Sequence, residues 1–337
     1  MSLKLPARPN LEQLRKQAKE LLRGYQEGEA AAIERFRSLA SFSPSASFKL
    51  SDAQHVIARD YGFSSWPKLK QHIDSLTRIL SPAEMLAAAV RDSDSAKTAR
   101  LLQTHRELKA QINEPMAGYG AGVQALLAAV QRSDRNTIDV LLGAGADINA
   151  RSRSWSGGLG VLDECSPEMA PFLIERGASL DVHSASRLGM LEKLEELVST
   201  DPSVAGARGA GGQTPLHCAS TVEIARYLLD HGAEIDARDI RHESTPAQHM
   251  LRVLQARHYP GDRQEIARHL IARGSKTDIL MAAALGDTQL VLEHLEAEPD
   301  CIRMCVTAAH FPKQDARSDG TIYIGMFGRG RTPHLIA

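Results

Sequence analysis

Little in this sequence points to chemistry. Aromatic residues make up only 4% of its 337 positions, which excludes a core built on large rings and leaves small aliphatic packing to carry it. Four cysteines are too few for a disulfide framework, so a reducing cytoplasm is the expected compartment. No run approaches the roughly 18 apolar residues of a membrane span. The opening MSLKLPARPN carries no apolar signal stretch, and no membrane partner is expected. No glycine-rich phosphate loop follows a strand pattern, and residues 325–331 read as a plain loop. Asp163-Glu164-Cys165 has no histidine at a spacing diagnostic of a thiol nucleophile. No cofactor is expected.

What is present is repetition. Four apolar, helix-patterned stretches end in Gly and a short polar-apolar alternation: LLGAGADINA, LIERGASLDV, LLDHGAEIDA and LIARGSKTDI. Their glycines are Gly145, Gly177, Gly232 and Gly274. The first gap equals one repeat unit of about 33 residues, and the second is too long for one. Residues 184–211 fill it with a degenerate copy in which Asp201-Pro202 replaces Gly-Ala. The same variant ending occurs at 101–113 and 292–304. About seven units from residue 81, with a fragment of an eighth, account for the pattern.

One unit is readable from 122–150. Leu126, Ala129 and Val130 give the apolar spacing of a short inner helix, and Ile138, Leu141 and Leu142 that of an outer one. Ser133-Asp134 separates them, Gly145 supplies a left-handed cap, and residues 147–150 start an extended finger. Neither helix can bury its stripe alone, so each unit needs neighbours. In TPLHCA (214–219), Thr214 suits an N-cap and Pro215 the first helical turn. Ser244-Thr245-Pro246 opens another inner helix in the same way.

The TPLHCA box and the spacing of these units resemble the ankyrin-repeat family over roughly residues 81–337. More narrowly, the chain resembles a bacterial group of uncharacterised ankyrin-repeat proteins with an N-terminal helical leader. The matching stretches are LPARPNLEQLRKQAKELL (5–22), YGFSSWPKLKQHI (61–73), HESTPAQ (242–248), RGSKTDILMAAALGD (273–287) and GTIYIGMFGRGRTPH (320–334). The resemblance implies an all-α ankyrin solenoid of about seven helix-turn-helix units with short β-hairpin fingers, preceded by a small helical bundle. It implies a structural role for His217, hydrogen-bonding across units, and no shared active site. The sequence departs from the family at 160–165, where GVLDEC replaces the box, and between the helices of 214–237, which is short.

Two domains are expected, a helical module at 1–78 and the repeats at 79–337. The module holds 13 Lys/Arg against 8 Asp/Glu, a charge of +5, and the remainder is −6. Asn10 with Gln13, Ser51 with Gln54, and Ser65 read as helix caps, and a further helix is expected through 29–39. A small core around Val56, Ile57, Tyr61, Phe63, Trp66, Leu69 and Ile73 follows. ARDYGFSS (58–65) also resembles a helix-turn-helix core, with Lys68, Lys70 and His72 on the second helix, which makes nucleic-acid binding the alternative function.

The leading expectation is a non-enzymatic scaffold that binds a protein partner through the concave face. The candidate contacts are Arg151, Arg153, Trp155, Arg238, Arg241, His242 and Tyr259, of the types that anchor interfaces. Fingertips are expected at 151–155, 183–186 and 238–242, and a loop at 258–261. Cys301, Cys305 and His310 hold the elements of a zinc site, the thiols falling on one face if the segment is helical, but only three ligands are local and packing seams of such arrays hold small buried cysteines, so no metal is expected. RTPHLIA (331–337) reads as the opening of an unfinished unit. Either the chain is cut short there or residues 306–330 fold back over the face, with a hairpin at 321–324.

Overall fold

The computed structural model describes residues 3–6, 9–37, 47–77, 80–120, 122–153, 157–251 and 262–336. These fall into two compact units, Met1–Ser81 and Pro82–Ala337. Trp155, Tyr259 and the loop at 258–261 lie outside the described residues.

The first unit contains α1 (Leu11–Gln26), α2 (Ala30–Arg37), α3 (Leu50–Asp60) and α4 (Trp66–Thr77). Asn10 caps α1, its Oδ1 accepting from the Glu12 and Gln13 amides at 2.8 and 3.3 Å. The start of α3 differs from expectation. Ser51 lies inside the helix, and Asp52 reaches back to accept the Lys49 amide at 2.7 Å. A carboxylate in the first turn also suits the positive helix end, which explains why it outcompetes the hydroxyl. Ser65 Oγ accepts from the Lys68 amide at 3.4 Å. The core gathers Leu14, Leu21, Phe36, Val56, Ile57, Leu69 and Ile73. Tyr25, Phe36 and Phe48 cluster with ring centroids 4.7–5.1 Å apart, whereas Tyr61, Phe63 and Trp66 are only partly buried against the core.

The second unit is a run of helix pairs. They are α5 (Pro82–Arg91) with α6 (Ser95–Thr104), followed by the short α7 (Arg106–Ala110); α8 (Ala125–Gln131) with α9 (Arg135–Gly143); and α10 (Val161–Glu164) with α11 (Ala170–Glu175). Then come α12 (Val182–Leu188) with α13 (Leu191–Thr200), α14 (Pro215–Cys218) with α15 (Val222–Asp230), α16 (Pro246–Met250) with α17 (Arg263–Ala272), and α18 (Ile279–Leu285) with α19 (Thr288–Ala297). The inner helix is the more buried member; residues 125–130 of α8 are all buried. The outer helices bury one stripe, as Ile224, Ala225 and Leu228 do on α15. Outer helices begin at polar caps, with Asp134 accepting from Thr137 and Asp287 from Leu290. Gly145, Gly177, Gly232 and Gly274 all have φ between 87° and 99°, the left-handed turn that ends an outer helix.

The described residues contain no strand, so the expected β-hairpin fingers are instead turns. Their backbone groups are satisfied by Asn and Asp side chains of neighbouring pairs rather than by a ladder. Asn113 Oδ1 accepts the Asp147 amide, Asn149 bonds the Ser179 amide and the Gly177 carbonyl, and Asp236 accepts from Ser275 and Lys276. Such side-chain bonds compete directly with strand pairing. The fingers also differ in length. Residues 144–160, 201–214 and 231–245 are long connections, whereas 176–181 and 273–278 lead straight into the next inner helix. Residues 183–186, expected at a fingertip, lie within α12.

Beyond α19 the chain forms a 3-10 turn at Pro299–Arg303, then departs and returns. Val306 and Gly330-Arg331 pair through backbone bonds of 2.9 and 3.0 Å, and the intervening excursion folds against α16 and α18. The hairpin expected at 321–324 is α20 (Ile322–Phe327), capped by Thr321. The period-two alternation misled because Ile322 and Tyr323 are adjacent and both buried, as a short helix allows and one face of a strand does not. The helix also runs into the segment expected as plain loop from residue 325. A 3-10 turn at Pro333–Leu335 packs Ile336 partly against the core and leaves Leu335 exposed.

Candidate functional site

The inner helices and finger bases carry a line of bonds between successive pairs, and His217 is its clearest member. Its Nδ1 accepts the Thr214 amide at 3.0 Å, which leaves the proton on Nε2 to donate to the Ser244 carbonyl of the next unit at 3.1 Å. Gln248 repeats the device one unit later. Its Oε1 accepts the Thr245 amide at 2.9 Å, and its Nε2 donates to Asp278 Oδ2 and Tyr323 Oη at 3.3 and 3.2 Å. Gln124 reaches forward from α8 to the Arg151 carbonyl at 2.6 Å.

Behind this line sits Asp239, whose side chain is fully buried. It accepts the His242 and Ser244 amides at 3.0 and 2.9 Å and lies 3.1 Å from His242 Nδ1. His249 Nε2 lies 3.4 Å from Asp239 Oδ1, close enough for attraction but outside hydrogen-bond geometry. Burial alone pushes Asp239 upward; the contacts of His242 and His249 and the Ser244 amide overcome it and hold the carboxyl far below the usual range. His217 is pushed down to about 3, first by burial and then by the charge of His249. Burial likewise lowers His249, against the pull of Asp239.

His217, Asp239 and His249 offer donor atoms within 4.8 Å of one another, the composition of a metal centre. The bonding does not fit one. Both His217 nitrogens are committed, and freeing Nε2 for a cation would move the proton onto Nδ1, against the Thr214 amide. The neighbouring Cys218 thiol is pushed up to about 12 by burial, so it is no nucleophile at neutral pH. The cluster therefore acts as a lock between α14 and α16. The residues at 301–310, where no metal is expected, do not share the helical face their spacing would allow. Cys301 is in a 3-10 turn and Cys305 lies beyond it, so the two do not share an α-helical face.

The candidate contact residues separate. Arg151 is half-exposed and donates to Asp163 at 2.7 Å and to the Gly158 carbonyl at 2.8 Å. Arg153 turns away to pair with Glu114 at 2.8 Å. Arg238 is exposed, and Arg241 pairs with Asp319 of the C-terminal excursion at 2.7 Å. Arg151, Arg241 and His242 line one cavity of about 230 Å3, whereas Arg238 and His242 line another of about 390 Å3. Sequence reasoning missed Asp239, His249, Arg187 and Arg263 at or beside the first cavity. Arg187 is buried and donates to the Leu162 and Cys165 carbonyls at 2.6 and 2.8 Å; Arg263 donates to the His249 carbonyl at 2.7 Å. A charged residue inside the apolar pattern of an inner helix, as Arg187 is in VHSASRL, was the available signal.

No helix among the described residues is long and apolar enough to cross a membrane. No curated protein matches the sequence. The family profile described as "Ankyrin repeat" matches residues 211–240, the stretch that holds α14, α15 and Asp239. That stretch is similar to an ankyrin repeat, a family whose members serve in general as protein-interaction modules.

Proposed function

We propose that Pro82–Ala337 is one continuous ankyrin array of seven units and that it serves as a non-enzymatic scaffold, binding a protein partner through its fingers and inner helices. The observation that carries this is the recurrence of the same cross-unit bonds outside the matched repeat, Asn113 to Asp147, Asn149 to Ser179 and Gln248 in the role of His217, together with Asp236 to Ser275 across its edge. Side chains spent on joining neighbours make a stiff stack, and its polar face offers arginines, a residue type that anchors interfaces. Membership of the bacterial leader-bearing group and a cytoplasmic setting, with all four cysteines as thiols, belong to the same proposal.

The test is residue-specific photocrosslinking in the source cell. Crosslinkers at Arg153 and Arg238 on the fingers are expected to trap a protein, and crosslinkers at Glu196 and Glu265 on outer helices are not. The reverse pattern overturns the reading. The alternative, nucleic-acid binding by the first unit, is supported by the exposure of Lys68, Lys70 and His72 on α4. It requires DNA affinity that falls steeply with salt and disappears with Lys68→Glu/Lys70→Glu.

A further inference from the structure

Both cavities lie where a finger is missing. The connections 176–181 and 273–278 are the two short ones, and each contributes its helix-capping aspartate, Asp181 or Asp278, to the adjoining cavity. The finger bearing Asp239 and His242 stands between them, His242 lining both. In the gap before α18 the chain itself lines part of the space, through Phe311, Gln314 and Thr321. The excursion places the Gln314 and Asp315 amides on the Glu243 carboxylate at 2.9 and 2.7 Å. It then sets Asp319 against Arg241, with carboxylate to guanidinium at 2.7 Å and the Asp319 amide to the Arg241 carbonyl at 2.8 Å. Tyr323 follows, buried, with its hydroxyl donating to Asp278 at 2.7 Å.

The gap before α12 has the same walls. On one side are residues 151–153 and 157–160; on the other is the finger 201–214. They meet over the top, where a Cβ on Gly157 would lie 3.2 Å from Ala210 Cα. Gly158 admits no side chain at all, since its Cβ would fall 1.9 Å from the Ser152 carbonyl oxygen. Underneath are Asp181, His183 and Arg187. Arg151, Arg187, Arg241 and Arg263 line this cavity against Asp163, Glu164 and Asp181, an excess of one positive charge before the Asp319 carboxylate on Arg241 is counted. The cavity before α18 is lined instead by Asp236, Glu243 and Asp278 against Arg238 and Lys276.

We propose that the gap before α12 is a docking socket for an acidic turn of a protein partner, which enters it as residues 314–319 enter the gap before α18 and sets a carboxylate among the arginines. This rests on the scaffold reading above. The volume, about 230 Å3, suits one or two side chains on a turn and not a helix. The carboxylate meets a guanidinium in a partly desolvated site, where such pairing is strongest and most selective.

The test uses the full chain and a phage-displayed library of disulfide-closed loops. Enriched loops are expected to share an Asp or Glu, and a synthetic loop with that residue changed to its amide is expected to bind at least tenfold more weakly. Arg151→Gln is expected to weaken the acidic loop by a similar factor, Arg151→Lys to restore part of it, and Lys193→Gln, on the outer helix α13, to leave it unchanged. Ala210→Glu, which places a like charge at the mouth without removing a bond, is expected to abolish binding while the melting temperature holds. Loops without an acidic residue, no enrichment, or indifference to Arg151→Gln and Ala210→Glu would each overturn the socket. So would concentration-dependent dimerisation abolished by Ala210→Glu, which would make the occupant a second copy of the chain. A partner still crosslinked from Arg238 under any of these outcomes leaves the scaffold reading standing.

Discussion

At the scale of single residues, His217 and Gln248 perform one task with different chemistry. Each accepts the amide of its own N-cap threonine and donates to the next unit. His217→Gln is therefore expected to cost no more than about 1 kcal/mol at neutral pH, the worth of one reshaped hydrogen bond. Its effect on pH dependence is larger. The unfolded chain takes up a proton at His217 near pH 6.5, and the folded chain resists until about pH 3. Unfolding is thus favoured as pH falls through that window. Asp239, held low in the fold, adds loss of the same sign below its ordinary value near pH 4. The melting temperature of the native chain is expected to fall steadily from pH 6.5 to 4, and that of His217→Gln to fall less. A variant that unfolds at pH 7, or a native profile that is flat over this range, would refute the equivalence of the two side chains. Leu216, fully buried beside His217, gives the contrast: Leu216→Asp introduces an unpaired charge into the seam and is expected to cost several kcal/mol, read as loss of the cooperative thermal transition.

At the scale of elements, the excursion that ends in α20 holds to the array through a few polar contacts and one buried ring. Tyr323→Phe removes a hydroxyl that donates to a carboxylate in a dry site. A loss of roughly 2 kcal/mol is expected by chemical denaturation. Glu243→Gln with Asp319→Asn should expose amides 311–327 to hydrogen exchange while α14 and α15 stay protected; unchanged exchange would show that apolar packing alone holds the excursion. These elements also show where reading the sequence succeeded and stopped. The glycine caps, the Thr214-Pro215 and Thr245-Pro246 openings of inner helices, and the burial of Leu126, Ile138 and Leu141 were legible because each depends on a local spacing or on one residue's backbone preference. The missing fingers were not. RGASLD and RGSKTD resemble GADINA in composition, and only the place where the next helix starts tells them apart. Arg151, Arg241 and His242 were legible as finger residues, although His242 is largely buried against Asp239. Their meeting at one cavity, with Arg187 and Arg263 from two different helices, depends on how the units stack. The burial of Asp239 among three histidines depends on contacts between residues 22 to 32 positions of sequence apart at the farthest, which no local pattern encodes.

At the scale of the second unit as a whole, the apolar core is in two pieces. One runs from Leu86 to Leu188 and the other from Val182 to Tyr323. They meet at α12, where Ser184, Ser186 and Arg187 are buried in place of aliphatic residues. Ser186 bonds its own helix, Ser220 donates to the Ser186 carbonyl at 2.7 Å, and Arg187 donates back to the preceding unit. A seam joined by hydrogen bonds couples its two sides less strongly than apolar packing, since each bond contributes only about 1 kcal/mol net. Residues 82–175 and 215–336 are expected to open as separate blocks in denaturant-dependent hydrogen exchange. A single opening of both blocks at one free energy would show the seam to be as strong as the core.

The excursion has a consequence for the order in which the array is made. The bonds from Asn113 to Asp147, Asn149 to Ser179 and Asp236 to Ser275 join adjacent units and can close as soon as two of them have left the ribosome. Glu243 waits for Gln314, 71 positions later, and Arg241 waits for Asp319, 78 positions later. Loop closure over such a span is slow compared with pairing of neighbours. The Asp239 lock can therefore set while the gap before α18 still stands open, and residues 314–319 close against Glu243 and Arg241 only after the fingers they meet are already in place.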